Sequence, residues 1–435
     1  MKKRINILII SILFMSMLMS SCISLERGDN HNAPSHAPTI SITPEPDKEI
    51  SGTINTPLPA YPIPSPDNTP APSQVSEASP TATPDAPLNQ SPEPISEPTT
   101  SENEIPEILS KMSIEEKVGQ MFIVRCPKQD AAKKAAQYHI GGYILFSKDF
   151  KNSSIGQTKN RIYNYQKTVE IPLLIGVDEE GGNVNRISLH KQFRGEPFLS
   201  PQDLYKNGEF DLIVSDTIEK AVFLKSLGIN LNLAPVCDVS TVATDYIYPR
   251  SFGKDAVLTS QYVENVVRTM KDQHIGSVLK HFPGYGNNLD THTGIAYDNR
   301  DYETFLQSDF LPFISGINAG AGAVLVSHNI VRSMDESFPA SLSPKVNRIL
   351  RDNLGFDGVI MTDDLYMDAI RNYTGDSEAA VLAVLAGNDL ICCTNFEEQI
   401  PAVINAVKEG IISEERLNES VLRILKWKLE LGIIY

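Results

Sequence analysis

The chain has 435 residues, with 54 acidic and 38 basic side chains and a formal net charge of −16. Residues 26–105 hold twelve acidic and two basic residues and the first 25 residues hold three basic ones, which leaves −9 for the remainder. An acidic domain without a basic cluster is a poor candidate for binding nucleic acid, and the cysteines have neither the spacing of metal ligands nor the density of a disulfide scaffold.

The N-terminal 22 residues have the pattern of a bacterial secretion signal. Three basic residues precede an apolar run over residues 7–19, which is too short to span a bilayer comfortably. Small residues then lead directly to Cys22, which resembles a lipobox in which that cysteine is diacylated and becomes the mature N-terminus. We therefore predict a signal peptide over residues 1–22 and an extracytoplasmic protein anchored to the cell membrane through Cys22. An ordinary secretory signal is the alternative.

Residues 23–105 are predicted to be a disordered linker. Proline recurs every few residues from Pro34 to Pro98, interleaved with Ser, Thr, Ala, Asp and Glu. Such a segment has too little apolar surface to offset the entropy of ordering, and it favours an extended, partly polyproline II chain. A proline-rich docking ligand is the alternative to a stalk.

From Pro106 to Tyr435, short apolar runs alternate with segments of helical period. The domain begins with a capping box, Ser113 with Glu116 three residues later. Near-continuous apolar runs between helices indicate buried parallel strands, so eight of them over residues 106–435 predict a (β/α)8 barrel. A doubly wound open sheet is the alternative. The predicted strands are Met121–Val124, Gly142–Phe146, Leu173–Val177, Ile229–Leu233, Ser277–Leu279, Ala323–Val326, Gly358–Met361 and Asp389–Cys392.

Polar residues follow five of the predicted strands directly. In a barrel these positions meet at the carboxyl ends of the strands, where active sites lie. Five such residues at the same relative place indicate a functional site at that face. They are Asp178, Asp238, Lys280 with His281, Ser327 with His328, and Asp363 with Asp364.

Five motifs of the domain occur together in one enzyme family. They are Val177–Arg186, Asn232–Asp238, Tyr248–Gly253, Lys280–Gly286 with Asp290–His292 after it, and Gly358–Met367. From about Met112 to its end, the chain resembles the family-3 glycoside hydrolases, specifically their β-N-acetylglucosaminidase branch.

The resemblance implies a retaining mechanism without cofactor or metal ion. It assigns the covalent nucleophile to Asp363, a carboxylate that the end of a strand would hold rigidly beneath the anomeric carbon. It assigns the acid/base to His292, oriented by Asp290, because a histidine can give and take a proton near neutral pH. Asp364 is expected only to cap the helix that follows.

The resemblance also assigns a set of residues to the hydroxyl and acetamido groups of the terminal sugar. These residues are Asp178, Arg186, Arg250, Lys280 and His281. A structural ion pair is the alternative for each arginine, and Gly181 and Gly182 are expected to form a tight turn. The chain departs from the family pattern at Tyr285, at Asn183 and in the segment before Asp290, which is one residue shorter.

These observations predict an exo-β-N-acetylglucosaminidase that acts on peptidoglycan fragments or chitooligosaccharides. A phosphorylase is an alternative, because a histidine acid/base would not repel phosphate. A β-glucosidase of the family usually carries a second domain, for which a chain ending at Tyr435 leaves no room. A metal-dependent barrel hydrolase is disfavoured, because it would need a His-x-His pair on the first strand, which here reads Met-Phe-Ile-Val-Arg. A glycan-binding lipoprotein would need neither Asp363 nor His292.

Overall fold

The computed structural model describes residues 102–288, 294–371, 373–374 and 378–434. The predicted signal peptide, its Cys22 and the linker up to residue 101 lie outside the described residues. So do the predicted acid/base pair, Asp290 and His292. The predicted barrel strands all lie within the described residues.

Eight parallel strands form a closed barrel. Their order is β10-β1-β2-β3-β4-β5-β7-β9, and a bridge from Met361 to Leu390 joins the last strand of this order to the first. The eight apolar runs of the sequence correspond to these eight strands. The predicted (β/α)8 barrel is therefore confirmed, and the alternative of a doubly wound open sheet is wrong. The strands are β1 (Phe122–Arg125), β2 (Gly142–Leu145), β3 (Leu174–Val177), β4 (Leu231–Asn232), β5 (Gly276–Phe282), β7 (Ala323–Val326), β9 (Val359–Thr362) and β10 (Ile391–Cys393).

Helices surround the barrel. The helices of the first half of the domain are α1 (Ile105–Lys111), α2 (Ile114–Gln120), α3 (Ala131–Gln137), α4 (Ser147–Phe150), α5 (Ile155–Lys167), α6 (Pro201–Ser226) and α7 (Ala256–Asp272). The others are α8 (Tyr302–Thr304), α9 (Phe310–Asn318), α10 (Pro344–Arg348), α11 (Asp368–Arg371), α12 (Ala379–Ala386), α13 (Phe396–Lys408) and α14 (Glu414–Glu430). The predicted capping box starts α2: the Ser113 hydroxyl accepts from Glu116 N at 3.2 Å, and the Glu116 carboxylate accepts from Ser113 N at 2.7 Å.

The sequence did not predict a small second sheet. Two short strands, β6 (Tyr297–Asp298) and β8 (Ile330–Val331), pair in parallel. Each follows a barrel strand in the chain, β6 after β5 and β8 after β7, so the pair lies among the segments that extend beyond the carboxyl ends of the strands. Two residues per strand give no periodicity for a sequence pattern to detect.

The amino ends of the strands are held by a buried ionic cluster around Asp389. One carboxylate oxygen accepts from Ile360 N at 3.0 Å and pairs with Arg351, and the other accepts from Ser420 Oγ at 2.9 Å. Arg416 and Arg423 of α14 approach that second oxygen at 3.4 and 3.2 Å. A fully buried carboxylate with this many donors joins β9, β10 and the last helix at the bottom of the barrel.

Candidate active site

A cavity of about 550 Å³ opens at the carboxyl ends of the strands. Residues from most of the strand ends line it, as the sequence predicted. The six predicted site residues within the described part of the chain all face it: Asp178, Arg186, Arg250, Lys280, His281 and Asp363. The structure thus brings these six residues together around one cavity, whereas their assignment to a sugar site and their individual chemical roles stay predictions.

Lys280 on β5 is a buried cation at the floor of the cavity. Its Nζ lies 2.8 Å from Asp178 Oδ1 and 2.6 Å from Glu180 Oε1. Burial alone would lower the pKa of Lys280, but the charges of Asp178 and Glu180 outweigh it and raise that pKa. The lysine is therefore a fixed positive charge that holds both carboxylates in place.

Glu180 was not singled out from the sequence, yet it links two predicted site residues. Arg250 donates from Nε and Nη2 to its two carboxylate oxygens, at 3.0 and 2.7 Å, while Lys280 contacts it from the barrel interior. Burial would raise the pKa of Glu180, but Lys280 and Arg250 hold it well below its usual range. The structural ion pair considered for Arg250 is thus present, and it fixes the guanidinium at the edge of the cavity.

His281 is oriented from both of its ring nitrogens. Nδ1 lies 2.7 Å from Asp238 Oδ2, and Nε2 lies 3.2 Å from Arg250 Nη2. Because a guanidinium can only donate, these contacts assign the proton to Nδ1, which donates to Asp238. Asp238 also accepts from the backbone N–H groups of His281 and Tyr285, at 3.2 and 2.7 Å. The histidine therefore has little freedom to turn away from the cavity.

The loop after β3 is ordered around a second buried carboxylate. Glu179 accepts from the backbone N–H groups of Arg186 and Ile187 at 2.8 Å each, and from Ser188 N at 3.0 Å. Gly181 has φ +102°, and a Cβ there would lie 2.1 Å from the carbonyl oxygen of Leu199. The predicted glycine turn is confirmed. It returns the chain so that Arg186 Nε stands 3.9 Å from Asp178 Oδ2.

Two adjacent aspartates follow β9 and have different surroundings. Asp363 lines the cavity, and its Oδ1 accepts from Asp364 N at 2.8 Å. The carboxylate of Asp364 instead accepts from Tyr366 N and Thr394 N at 3.0 Å each, and from Thr394 Oγ1 at 2.5 Å. The role of Asp364 is structural, as predicted, but its bonds reach Tyr366 and Thr394 and not the first turn of α11, which begins at Asp368. Asp364 therefore orders the turn before α11 and ties that turn to the end of β10.

Arg300 anchors the described residues on both sides of the segment that contains Asp290 and His292. Its Nη2 donates to the Gly284 carbonyl at 3.2 Å, and it pairs with Asp298 and Asp309 at 2.7 and 2.9 Å. Asn288 Nδ2 donates to Asp298 Oδ2 at 2.7 Å. Burial raises the pKa of Asp309 to about 6, although Arg300 opposes the shift. No sequence motif pointed to this cluster, because none of its members directly follows a predicted strand.

Tyr285, one of the departures from the family pattern, is buried beside the site. Its ring meets the His281 ring nearly edge-on, with centroids 5.5 Å apart, and lies 5.7 Å from the ring of Tyr246, a cavity residue. The substitution therefore supports the wall of the cavity. Within the residues described, no three His, Cys, Asp or Glu side chains are grouped as metal ligands, and no helix is long and apolar enough to span a membrane.

Charged side chains and a strand-end aspartate gather around one cavity at the carboxyl ends of a closed (β/α)8 barrel, which is where barrel enzymes carry their active sites. The model of the glycosyl hydrolase family 3 N terminal domain matches residues 113–427. The chain belongs to this family.

Named relatives and solved structures agree with the family. The chain is 30% identical over 326 residues to beta-hexosaminidase A of Pseudoalteromonas piscicida, covering 68% of this chain and 54% of that protein. It is 28% identical to beta-hexosaminidase LpqI of Mycobacterium tuberculosis over 337 residues, covering 74% and 84%. A family 3 beta-N-acetylglucosaminidase from Paenibacillus sp. superposes with a TM-score of 0.69 at 31% identity, covering 74% of this chain and 63% of the other. The chain thus spans little more than half of the first relative's length.

Proposed function

We propose that this protein is a retaining exo-β-N-acetylglucosaminidase that releases the terminal non-reducing N-acetylhexosamine from β-linked glycans. The proposal is supported above all by the position of Asp363, which faces the same cavity as the five residues predicted to bind the sugar. The names of the relatives support the acetamido sugar as the substrate class. Peptidoglycan fragments and chitooligosaccharides are the proposed natural substrates.

In the first proposed step, an Asp363 carboxylate oxygen attacks the anomeric carbon while the bond from that carbon to the leaving oxygen breaks. His292, oriented by Asp290, gives its proton to the leaving oxygen. In the second step His292 takes a proton from water, whose oxygen attacks the anomeric carbon and releases Asp363. The binding residues hold the ring throughout, because Lys280, Arg250 and Glu180 already fix one another before the sugar arrives.

The N-terminal segments are proposed to place the enzyme outside the cytoplasm. Cys22 would carry the lipid, and residues 23–105 would extend the barrel away from the membrane on a proline-rich stalk. Cys22→Ala is expected to move the protein from the membrane fraction to the soluble extracytoplasmic fraction and to abolish incorporation of labelled palmitate. Retention of the label in Cys22→Ala would contradict anchoring at this residue.

The test of the reaction is release of nitrophenol from aryl β-N-acetylglucosaminide and aryl β-glucoside by the full-length chain, with and without phosphate. We expect cleavage of the acetamido sugar alone, a loss of roughly 10³- to 10⁵-fold in Asp363→Asn, and a smaller loss in His292→Ala. Asp352→Asn, at an exposed position, is the matched control.

Each of the other possible outcomes would favour a different reaction or function. Full activity in Asp363→Asn would exclude it as the nucleophile, and faster turnover in phosphate would identify a phosphorylase. Preference for the glucoside would identify a β-glucosidase. Sugar binding without turnover of either glycoside would leave a glycan-binding lipoprotein.

A further inference from the structure

Arg125 is a cavity cation that the proposed mechanism does not use. It is the last residue of β1, it lines the cavity, and its guanidinium carbon lies 4.2 Å from the centroid of the Phe146 ring. Its Nε is buried and makes no hydrogen bond to any part of the chain that the structure describes. The ring and the end of the strand hold the guanidinium in place, but neither supplies an acceptor.

The other cavity cations all have carboxylate partners. Lys280 contacts Asp178 and Glu180 within 2.8 Å, Arg250 forms a two-bond pair with Glu180, and Arg371 lies 3.8 Å from Asp368. Among residues 102–288, 294–371, 373–374 and 378–434, no carboxylate lies within ion-pair distance of Arg125. A half-buried guanidinium without a counter-ion is unusual, and the buried Nε of Arg125 has lost water without gaining an acceptor among the described residues.

Arg186 stands at the same aromatic ring. Its guanidinium carbon is 5.8 Å from the Phe146 centroid, and its contact with Asp178 is long, at 3.9 Å. Its Nε is also buried without a hydrogen bond to the described residues. Both guanidinium groups therefore lie near the Phe146 ring and line the same cavity, and Arg186 lies beside Asp178, which is predicted to bind the terminal sugar.

We infer that Arg125 and Arg186 bind an anionic substituent, a carboxylate, sulfate or phosphate group, on the sugar that enters the cavity. A guanidinium presents two parallel N–H donors, which match two oxygens of any of these groups. This inference rests on the proposed function, and it adds a class of substrate in which the terminal N-acetylhexosamine is acidic.

The net charge of the domain bears on how an acidic sugar would be selected. The residues after the linker carry −9, so the field around the domain disfavours the approach of anions. A preference for an acidic sugar would therefore have to come from the local guanidinium groups and not from long-range attraction. It should persist at moderate ionic strength, where interactions beyond about 8 Å are screened.

The experiment compares kcat/KM of the full-length chain on aryl β-N-acetylglucosaminide with its 6-sulfate, its 6-phosphate and its 3-O-lactyl derivative, at 0.15 M salt. The variants are Arg125→Met, which keeps the length of the side chain, and Arg125→Lys, which keeps the charge. Arg268→Met removes a charge from an exposed helix position and serves as the control. The three derivatives distinguish the kind and the position of the anion.

We expect at least one acidic substrate to be preferred, and Arg125→Met to reduce its kcat/KM about 10- to 100-fold more than that of the neutral sugar. Arg125→Lys should recover part of the preference, and Arg268→Met should leave the ratio unchanged. Equal ratios of acidic to neutral kcat/KM in wild type and Arg125→Met would overturn the inference while the proposed function stood.

A binding measurement tests the anion site separately from the proposed enzymatic reaction. If no substrate is cleaved, the proposed function fails, and calorimetric titration of Asp363→Asn with N-acetylglucosamine and its 6-sulfate, 6-phosphate and 3-O-lactyl forms decides the anion site alone. Tighter binding of an acidic form, lost on adding Arg125→Met, would support the site. Equal affinities for all four ligands would overturn it.

Discussion

The two ends of the barrel both contain buried ionic clusters, but the clusters differ in what they leave open. At the amino ends, the Asp389 carboxylate is surrounded by donors from the strands and from α14. At the carboxyl ends, Lys280 and Arg250 both pair with Glu180, while Asp178, His281 and Asp363 also line a cavity. The same chemistry therefore stabilises the fold at one end and orients a site at the other.

This difference distinguishes buried charged groups that only stabilise the fold from those that also orient the site. Where every acceptor of a buried carboxylate is occupied by the protein, removal of that carboxylate should affect folding alone. Where a network ends at a cavity, its removal should also change turnover. Substitutions at Glu180, Asp389, Arg300 and Lys428 test that distinction.

Glu180→Gln should have the largest effect, because it removes the charge that Lys280 and Arg250 share. We expect kcat/KM to fall roughly 10²- to 10³-fold and the free energy of unfolding to fall by about 3–5 kcal/mol. Steady-state kinetics and urea unfolding of the same preparation give the two values. A variant with reduced stability and normal turnover of its folded fraction would show that Glu180 belongs with the stabilising group.

Asp389→Asn should lower stability by a similar amount, about 3–5 kcal/mol, since three arginines would lose their buried counter-ion. Activity per folded molecule should stay within about twofold of wild type, because the cluster lies at the opposite end of the barrel from the cavity. Urea unfolding and active-site titration measure these quantities. A large fall in turnover of the folded fraction would break the comparison between the two ends.

Arg300→Ala tests the anchor of the segment that contains Asp290 and His292. We expect kcat to fall about 10- to 100-fold with a smaller change in KM, because the anchored segment supplies the proposed proton donor rather than the binding residues. Arg300→Lys should recover part of kcat. Arg332→Ala, a neighbouring exposed arginine stacked over Tyr297, is the control. A rise in KM with unchanged kcat would assign Arg300 to substrate binding instead.

Lys428 should give the smallest effect, visible as a pH dependence of stability. It is fully buried against Gln120 Oε1 and the Pro172 carbonyl, at 2.8 and 2.7 Å, and burial lowers its pKa to about 7. Because the unfolded lysine, with a pKa near 10.4, binds its proton more tightly than the folded one, stability should rise with pH between about 7 and 10.

The slope from Lys428 should not exceed about 1.4 kcal/mol per pH unit. Lys428→Met should lack this contribution, so the unfolding free energy of wild type minus that of Lys428→Met should increase as pH rises from about 7 to 10. Urea unfolding at several pH values measures it. Parallel curves for the two proteins would show that the buried lysine keeps its charge in the folded state.

The barrel and most of the described site residues were predictable because both depend on local pattern. Continuous apolar runs identify buried strands, and the residue after each run is then placed at one face by the topology alone. Asp178 and Asp363 follow strands directly, and Lys280 and His281 lie near the carboxyl end of β5, so their meeting in one cavity required no knowledge of the loops.

The remaining contacts depend on the path of long loops, which no period in the sequence describes. Glu180 lies in a row of three acidic residues, and only the turn at Gly181 decides that the third one reaches Arg250. Arg300 and Asp309 meet below Gly284 although neither follows a barrel strand. Arg125 comes directly after the predicted run Met121–Val124, and only the three-dimensional structure shows that its Nε has no acceptor among the described residues.

The closure of the barrel also has a consequence for folding. Ile123 of β1 pairs with Cys392 of β10, 269 positions later, and β10 in turn bridges to β9. During synthesis the first strand must therefore wait with an open edge until the last strand has left the ribosome. Contacts of such sequence separation slow folding, and unpaired parallel edges invite association between chains. Chains truncated before β10 should therefore accumulate as aggregates rather than as smaller active barrels.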